Sequence, residues 1–264
     1  MKERHFIGVF DSGMGGLSVL QSLLELLPGE SFHYFADSAW CPYGNRSTEE
    51  IIARADAITT HFLAGGAKLV VVACNTATAE AIDHLRSHYP VPFVGIEPAI
   101  KQAAYHTASG KVGVLATRNT IQGRLFRETS ARYASGKDIM IQVGEGLVEV
   151  VEEGRIETPA AMALLKRYIT PMIEAGVDQV VLGCTHYPFL IPAIQRIVPP
   201  DVVIHDPSPA VARQTAAVLK SNNLEAVTGT PVLHQAETTG NREQLLGMIQ
   251  HLGLDISDVT FSSV

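Results

Sequence analysis

Phe6-Ile-Gly-Val-Phe-Asp-Ser-Gly-Met-Gly-Gly16 passes from an apolar, β-prone run into a glycine-rich loop and then into the amphipathic stretch that ends at Pro28-Gly29. Strand, tight loop, helix is the start of a βαβ unit. The pattern recurs at Val112-Gly-Val-Leu-Ala116, again followed by a helix-like run. A second echo links Val71-Val-Ala-Cys-Asn-Thr76 to Val181-Leu-Gly-Cys-Thr-His186, at nearly the same offset. The chain therefore reads as two related halves.

Working outward, strands are expected at Phe6–Phe10, Phe32–Ala36, Lys68–Ala73 and Phe93–Gly95, then at Val112–Ala116, Ile139–Val143, Gln179–Leu182 and Val202–Ile204. Helices fall between them. Ser47-Thr-Glu-Glu50 is a capping-box pattern opening one of these, and Asn75 to His88 is another. Further helices are expected over Pro98–His106, Thr120–Tyr133 and Pro159–Glu174, the last kinked or divided by Pro171, and one follows Pro188. After a helix over Pro209–Lys220, the tail adds a strand near Val232, a helix over Arg242–His251 and a strand near Val259, which return to the first half. The expected fold is α/β: two pseudo-symmetric lobes, each a mostly parallel sheet flanked by helices, with the active site in the cleft between them. Residues 1–97 with 208–264 make the first lobe, and 98–207 the second.

The 264 residues are 46% hydrophobic and 18% charged, an ordinary globular composition that sets disorder, collagen and coiled coil aside. A formal net charge of −7 argues against a general grip on nucleic acid. No apolar run reaches the length of a membrane span. The charged residues Met1 to His5 run straight into a strand, so no signal peptide is expected. Cys41, Cys74 and Cys184 are too few and too scattered for a disulfide framework or zinc knuckle. Reduced thiols in a cytoplasmic protein are the simplest reading.

In open α/β sheets ligands sit beyond the carboxyl ends of the strands, and the notable residues cluster there. Cys74 and Cys184 each end a strand, where helix N-terminal amides favour a thiolate. Either cysteine alone reads as a small buried packing residue. Two in equivalent places ask for more. A phosphatase-type cysteine would need a loop arginine that neither has. Zinc would need more ligands than His186 adds. A Cys184/His186 hydrolase leaves Cys74 unused. Opposed thiols suit proton transfer on both faces of one carbon, which inverts a stereocentre. Asp11 would serve one thiol and His186 the other, although an Asp before Ser-Gly is also an ordinary turn residue, and a His past a strand end an ordinary structural one. The loop Gly13–Gly16 lacks both the Walker and the dinucleotide spacing. With Ser12, Asn75, Thr76 and Thr185 it offers short donors to a carboxylate. No lysine lies in these motifs, so a pyridoxal-phosphate Schiff base is disfavoured.

With these residues assembled, the chain resembles the cofactor-independent aspartate/glutamate racemase family over essentially its whole length. The likeness rests on Phe10-Asp-Ser-Gly-Met-Gly-Gly16, Pro42-Tyr-Gly44 with Arg46-Ser47, Ala73-Cys-Asn-Thr-Ala77 and Gly183-Cys-Thr-His-Tyr-Pro188. The first two point to the glutamate-specific members. The resemblance implies two-base racemisation of glutamate with no metal or cofactor, supplying D-glutamate for peptidoglycan. It makes Cys74 and Cys184 the proton pair, assisted by Asp11 and His186. Asp11, Ser12, Tyr43, Gly44, Asn75, Thr76, Thr117, Thr120, Thr185 and His186 would contact glutamate. Val150-Val-Glu-Glu-Gly154 aligns Glu152 with a family glutamate near the second cysteine. The preceding Val143-Gly-Glu-Gly146 departs from the common Cys-Pro, and Glu145, Glu149, Glu152 and Glu153 also read as one solvated helix face. Cys41 has no matched role, and Asp206-Pro-Ser208 differs from the usual Asp-Ser-Gly. The expected partner is the small-molecule substrate, with no membrane and no nucleic acid; a homodimer is compatible with the sequence. Racemisation of aspartate or another amino acid and non-catalytic amino-acid binding are the competing functions.

Overall fold

Apolar strands that alternate with amphipathic helices bury both faces only as parallel sheets. The computed structural model, which describes residues 6–256 and 259–264, builds two such sheets, with every strand pairing parallel. The chain divides into a first unit, residues up to Ile96 together with those from Ser208 onward, and a second, Glu97–Pro207.

The first unit begins with β1 (Phe6–Asp11), α1 (Leu17–Leu26), β2 (Ser31–Ala36), α2 (Thr48–Gly65), β3 (Ala67–Val72), α3 (Asn75–His88) and β4 (Phe93–Gly95). The capping box at α2 forms in full: Glu50 N donates to Ser47 Oγ (3.2 Å) and Ser47 N to Glu50 Oε2 (2.9 Å). β3 is buried along its whole length, as a central parallel strand must be.

The second unit runs α4 (Ile100–His106), β5 (Lys111–Ala116), α5 (Arg118–Gln122), α6 (Arg124–Tyr133), β6 (Asp138–Val143), α7 (Leu147–Glu152), α8 (Pro159–Glu174), β7 (Gln179–Gly183), α9 (Ile191–Gln195) and β8 (Val203–His205). Its core joins Val112, Val114 and Val181 of the sheet to Ile100, Ala103 and Phe126 of α4 and α6.

The chain then completes the first unit with α10 (Ser208–Ser221), β9 (His234–Thr238), α11 (Arg242–His251) and β10 (Val259–Phe261). The first sheet has the order β10-β9-β2-β1-β3-β4 and the second β6-β5-β7-β8. β2-β1-β3-β4 and β6-β5-β7-β8 are the same arrangement built twice. In the first unit α2 packs on α3 and α1 on α10. Right-handed crossovers put these pairs on opposite faces of the sheet.

Several elements differ from the sequence expectation. The single helix over Thr120–Tyr133 is two, because Gly123 is extended (φ −64, ψ 149) and separates α5 from α6. Pro171 lies inside α8 without dividing it. The helix after Pro188 is a 3₁₀ turn, Tyr187–Leu190, and then the short α9. The tail strand begins at His234, beyond Val232. Helix α7 has no counterpart among the expected elements, and it excludes Glu145 and Glu153, so the four glutamates do not form one helical face. Among the described residues no helix is long and apolar enough to cross a membrane.

Candidate active site

In both sheets the chain leaves the first strand to one side and later returns to its other side. The topological switch therefore lies beside β1 and β3, and beside β5 and β7, the place where open α/β sheets bind ligands. The registers make the two places equivalent. Phe10 pairs with Val72, so Ser12 is level with Cys74; Ala116 pairs with Gly183, so Thr117 is level with Cys184. Asp37 N donates to Asp11 O, and Gly144 N to Ala116 O, at matching points on the other side.

In the first unit Asp11 is fully buried at the end of β1, and its Oδ2 accepts from Gly13 N (3.0 Å). Tyr34 donates its hydroxyl to Gly13 O (2.6 Å) and fixes the same loop. Gly16 is required by close approach, since a Cβ there would stand 2.6 Å from Asp11 Cβ. Cys74 caps α3: its Sγ accepts from Ala77 N (3.4 Å) and donates to Ser12 Oγ (3.7 Å). A thiolate at this position would face the positive end of a four-turn helix. Asn75 and Thr76 are buried in the first turn. Among the described residues neither amide atom of Asn75 has a hydrogen-bond partner. A buried amide left unpaired costs about 1–3 kcal/mol, so a ligand that engages it recovers a large interaction.

Tyr43 and Gly44 lie in a 3₁₀ turn, Tyr43–Asn45. Tyr43 is buried and donates to Asp37 Oδ2 (2.5 Å). Burial first, and the Asp37 carboxylate second, push its phenol well above the usual range, so it stays protonated. The sequence reading missed Asp37 as the anchor of this turn. Arg54 grips it with Nε to Oδ2 and Nη2 to Oδ1, both 2.8 Å, and Thr239 Oγ1 donates to Oδ1 at 2.9 Å. One signal was available: Asp37 stands just past the carboxyl end of β2, as Asp11 stands at the carboxyl end of β1.

In the second unit Cys184 follows β7 and is buried, with Sγ 3.7 Å from His186 Nδ1. His186 Nε2 lies 2.7 Å from Oε1 of Glu152, the last residue of α7. An ionised carboxylate accepts only, so the imidazole proton belongs on Nε2 and the Nδ1 lone pair faces the thiol. α9 has only five residues and starts well past Cys184, so this thiol has no helix N-terminus like that of Cys74. In its place Cys184, His186 and Glu152 stand in series. Thr185 and Thr120 are buried, and Thr117 caps α5, with its Oγ1 2.8 Å from that of Thr120. Burial, then the neighbouring Cys184, holds the Tyr187 phenol well above the usual range; it donates to Gly144 O (3.1 Å) and secures the loop before α7.

Each unit thus presents one thiol at the same point of the same fold, with different polar neighbours. None of the three cysteines forms a disulfide.

The profile of the Asp/Glu/Hydantoin racemase family matches residues 7–215. Glutamate racemase of Roseiflexus sp. (strain RS-1) is 46% identical over 253 residues, 94% of this chain and 92% of that one. Glutamate racemase of Herpetosiphon aurantiacus is 48% identical over 218 residues, 83% of this chain and 86% of that one. Among solved structures, glutamate racemase isoform RacE1 of Bacillus anthracis is similar with a TM-score of 0.87 at 30% identity, covering 99% of this chain and 98% of that one. The Escherichia coli glutamate racemase, solved with L-glutamate and the activator UDP-MurNAc-ala, gives 0.86 at 35% identity, covering 98% of each chain. Matches of this extent, joined to the strand-end cysteines, decide the matter: the chain belongs to the Asp/Glu/Hydantoin racemase family, among the glutamate racemases.

Proposed function

We propose that the protein interconverts L- and D-glutamate by a two-base reaction in which Cys74 and Cys184 serve opposite faces of the substrate Cα. The observation that carries this reading is the register equivalence of the two thiols, one at each switch point. A protein that only bound an amino acid would need neither thiol there.

One thiolate removes the Cα proton, and the electron pair stays on carbon, spread into the adjacent carboxylate. The thiol on the other face delivers its proton to that carbon. One C–H bond breaks and one forms, no oxidation occurs, and the thiols exchange protonation states. On the first side, Ser12 and the N-terminal amides of α3 stabilise sulfur as an anion. On the second, His186 Nδ1 accepts the Cys184 proton while Glu152 stabilises the resulting imidazolium. Asn75, Thr76, Thr117, Thr120 and Thr185 supply neutral donors for the two carboxylates, and Asp11 supplies the acceptor for the ammonium. Tyr43 and Gly44 shape the wall beside them. The reaction calls on no metal or cofactor, and its D-glutamate product would feed peptidoglycan synthesis in the cytoplasm, where thiols stay reduced.

Proton NMR of the protein with L-glutamate in D2O, without added cofactor, tests the reading. The expected result is loss of the Cα proton signal with optical rotation decaying to zero. Absence of exchange with either glutamate enantiomer overturns it.

A further inference from the structure

Away from the strand-end residues, the first unit holds a second cluster of chemically capable side chains. His33 stands on β2, Glu237 on β9, and His61 on α2. Glu237 lies opposite Phe35 in the β2–β9 pairing and reaches back along the sheet to His33. His33 Nε2 is 2.9 Å from Glu237 Oε1, and His61 Nε2 is 3.0 Å from Glu237 Oε2. All three donor atoms lie within 4.8 Å of one another. His33 is 8% exposed, and among the described residues its buried Nε2 has no hydrogen-bond partner of good geometry despite the nearby carboxylate. The approach is close but lacks the alignment of an N–H···O bond. The rings are held by aromatic packing: His33 against Phe6 and Phe62, His61 against Phe35. His61 is one-third exposed and leaves the cluster open to solvent.

We propose that His33, His61 and Glu237 bind one divalent transition-metal ion of the zinc type. Two imidazoles and a carboxylate are a borderline-soft donor set that suits zinc, cobalt or nickel and does not suit magnesium or calcium. Ligands about 2.0–2.1 Å from a tetrahedral ion stand roughly 3.3–3.5 Å apart, a spacing these atoms reach with small shifts. The open side leaves the fourth position to water. The ion would tie β9, which returns from the far end of the chain, to β2 and α2, so its effect is on stability. It takes no part in the reaction proposed above, and its test is independent of that reading.

The experiment is titration of tag-free, metal-stripped protein with Co2+ followed by visible absorption, then competition with Zn2+. The expected result is one equivalent of Co2+ giving d–d bands without a thiolate charge-transfer band, displaced by Zn2+, with a higher melting temperature for the loaded protein. His61→Ala and Glu237→Gln should each weaken binding by at least about 100-fold, because even groups outside a coordination sphere are worth about 10–100-fold. Circular dichroism checks that both variants are folded; His61, being partly exposed, is the safer substitution. No saturable binding, binding unchanged in His61→Ala, or a charge-transfer band abolished by replacing Cys74 or Cys184 each overturns the proposal.

Discussion

Asn75 and Glu152 are where the proposed reaction can be tested one residue at a time. Among the described residues neither amide atom of buried Asn75 finds a hydrogen-bond partner, so removing the amide takes no hydrogen bond from the empty protein and takes one from the complex. Asn75→Ala should leave the melting temperature nearly unchanged and raise KM for glutamate about 10–100-fold, as expected for losing a hydrogen bond to a charged group worth about 1.5–3 kcal/mol. A melting temperature that falls together with activity would contradict this role. In the proposed reaction Glu152 would act through His186, 2.7 Å away. Glu152→Gln keeps the shape but no longer stabilises an imidazolium. His186→Asn should lower kcat/KM about 10²–10⁴-fold, the range of general acid–base catalysis, and Glu152→Gln by less. The enantiomers are equally stable, so each loss must be equal in the two directions. The Cα-deuterium isotope effect should instead rise for one enantiomer only, the one whose proton goes to Cys184. Equal isotope effects for both enantiomers would reduce Glu152 to a structural residue.

At the scale of elements, Asp178 joins the end of α4 to the start of β7. It accepts from Thr107 Oγ1 (2.6 Å), Ala108 N (2.7 Å) and Ser109 N (2.8 Å). Burial opposes its ionisation, but these bonds outweigh burial and hold its carboxyl below the usual range. A depressed folded-state pKa adds stability above the unfolded value, about 3.9, and loses it as pH falls through the folded value. Asp178→Asn should cost about 1 kcal/mol near neutrality, a modest figure because the site is half-exposed. Urea unfolding should show this gap closing below about pH 4; a gap that widens on acidification would contradict the assignment. Elements with their own local signals were legible in the sequence. The Ser47/Glu50 capping box opened α2, and the apolar run at Val70–Val72 marked β3. The short helix α7 and the interruption at Gly123 were not. α7 has six residues, too few for a helical period, and the break at Gly123 depends on a backbone state that nearby residues do not announce. Pro171 read as a kink or a division, and α8 is assigned as one helix through it.

For the molecule as a whole, the two echoes carried most of the fold. They predicted two units of one topology, and the strand orders β2-β1-β3-β4 and β6-β5-β7-β8 repeat it. The cysteines were legible because each sits in an echo. Asp37 and the His33–His61–Glu237 cluster were not, because each draws partners from the returning tail. Thr239 reaches Asp37, and Glu237 reaches His33, across about two hundred residues of sequence. Within the repeat the two thiols have different neighbours. Where the first unit has Asp11 and Asp37 at its strand ends, the second has Ala116 and Gly144, and its charged groups enter through His186 and Glu152. The central claim is that these two unlike half-sites act on opposite faces of one carbon. Cys74→Ser and Cys184→Ser, each incubated with L- and with D-glutamate in D2O and followed by NMR and polarimetry, test it most directly. Each variant should fail to racemise and should wash deuterium into one enantiomer with its configuration retained, and the two variants should choose opposite enantiomers. Variants that exchange the same enantiomer, or a Cys74→Ser protein that still racemises, would contradict the account.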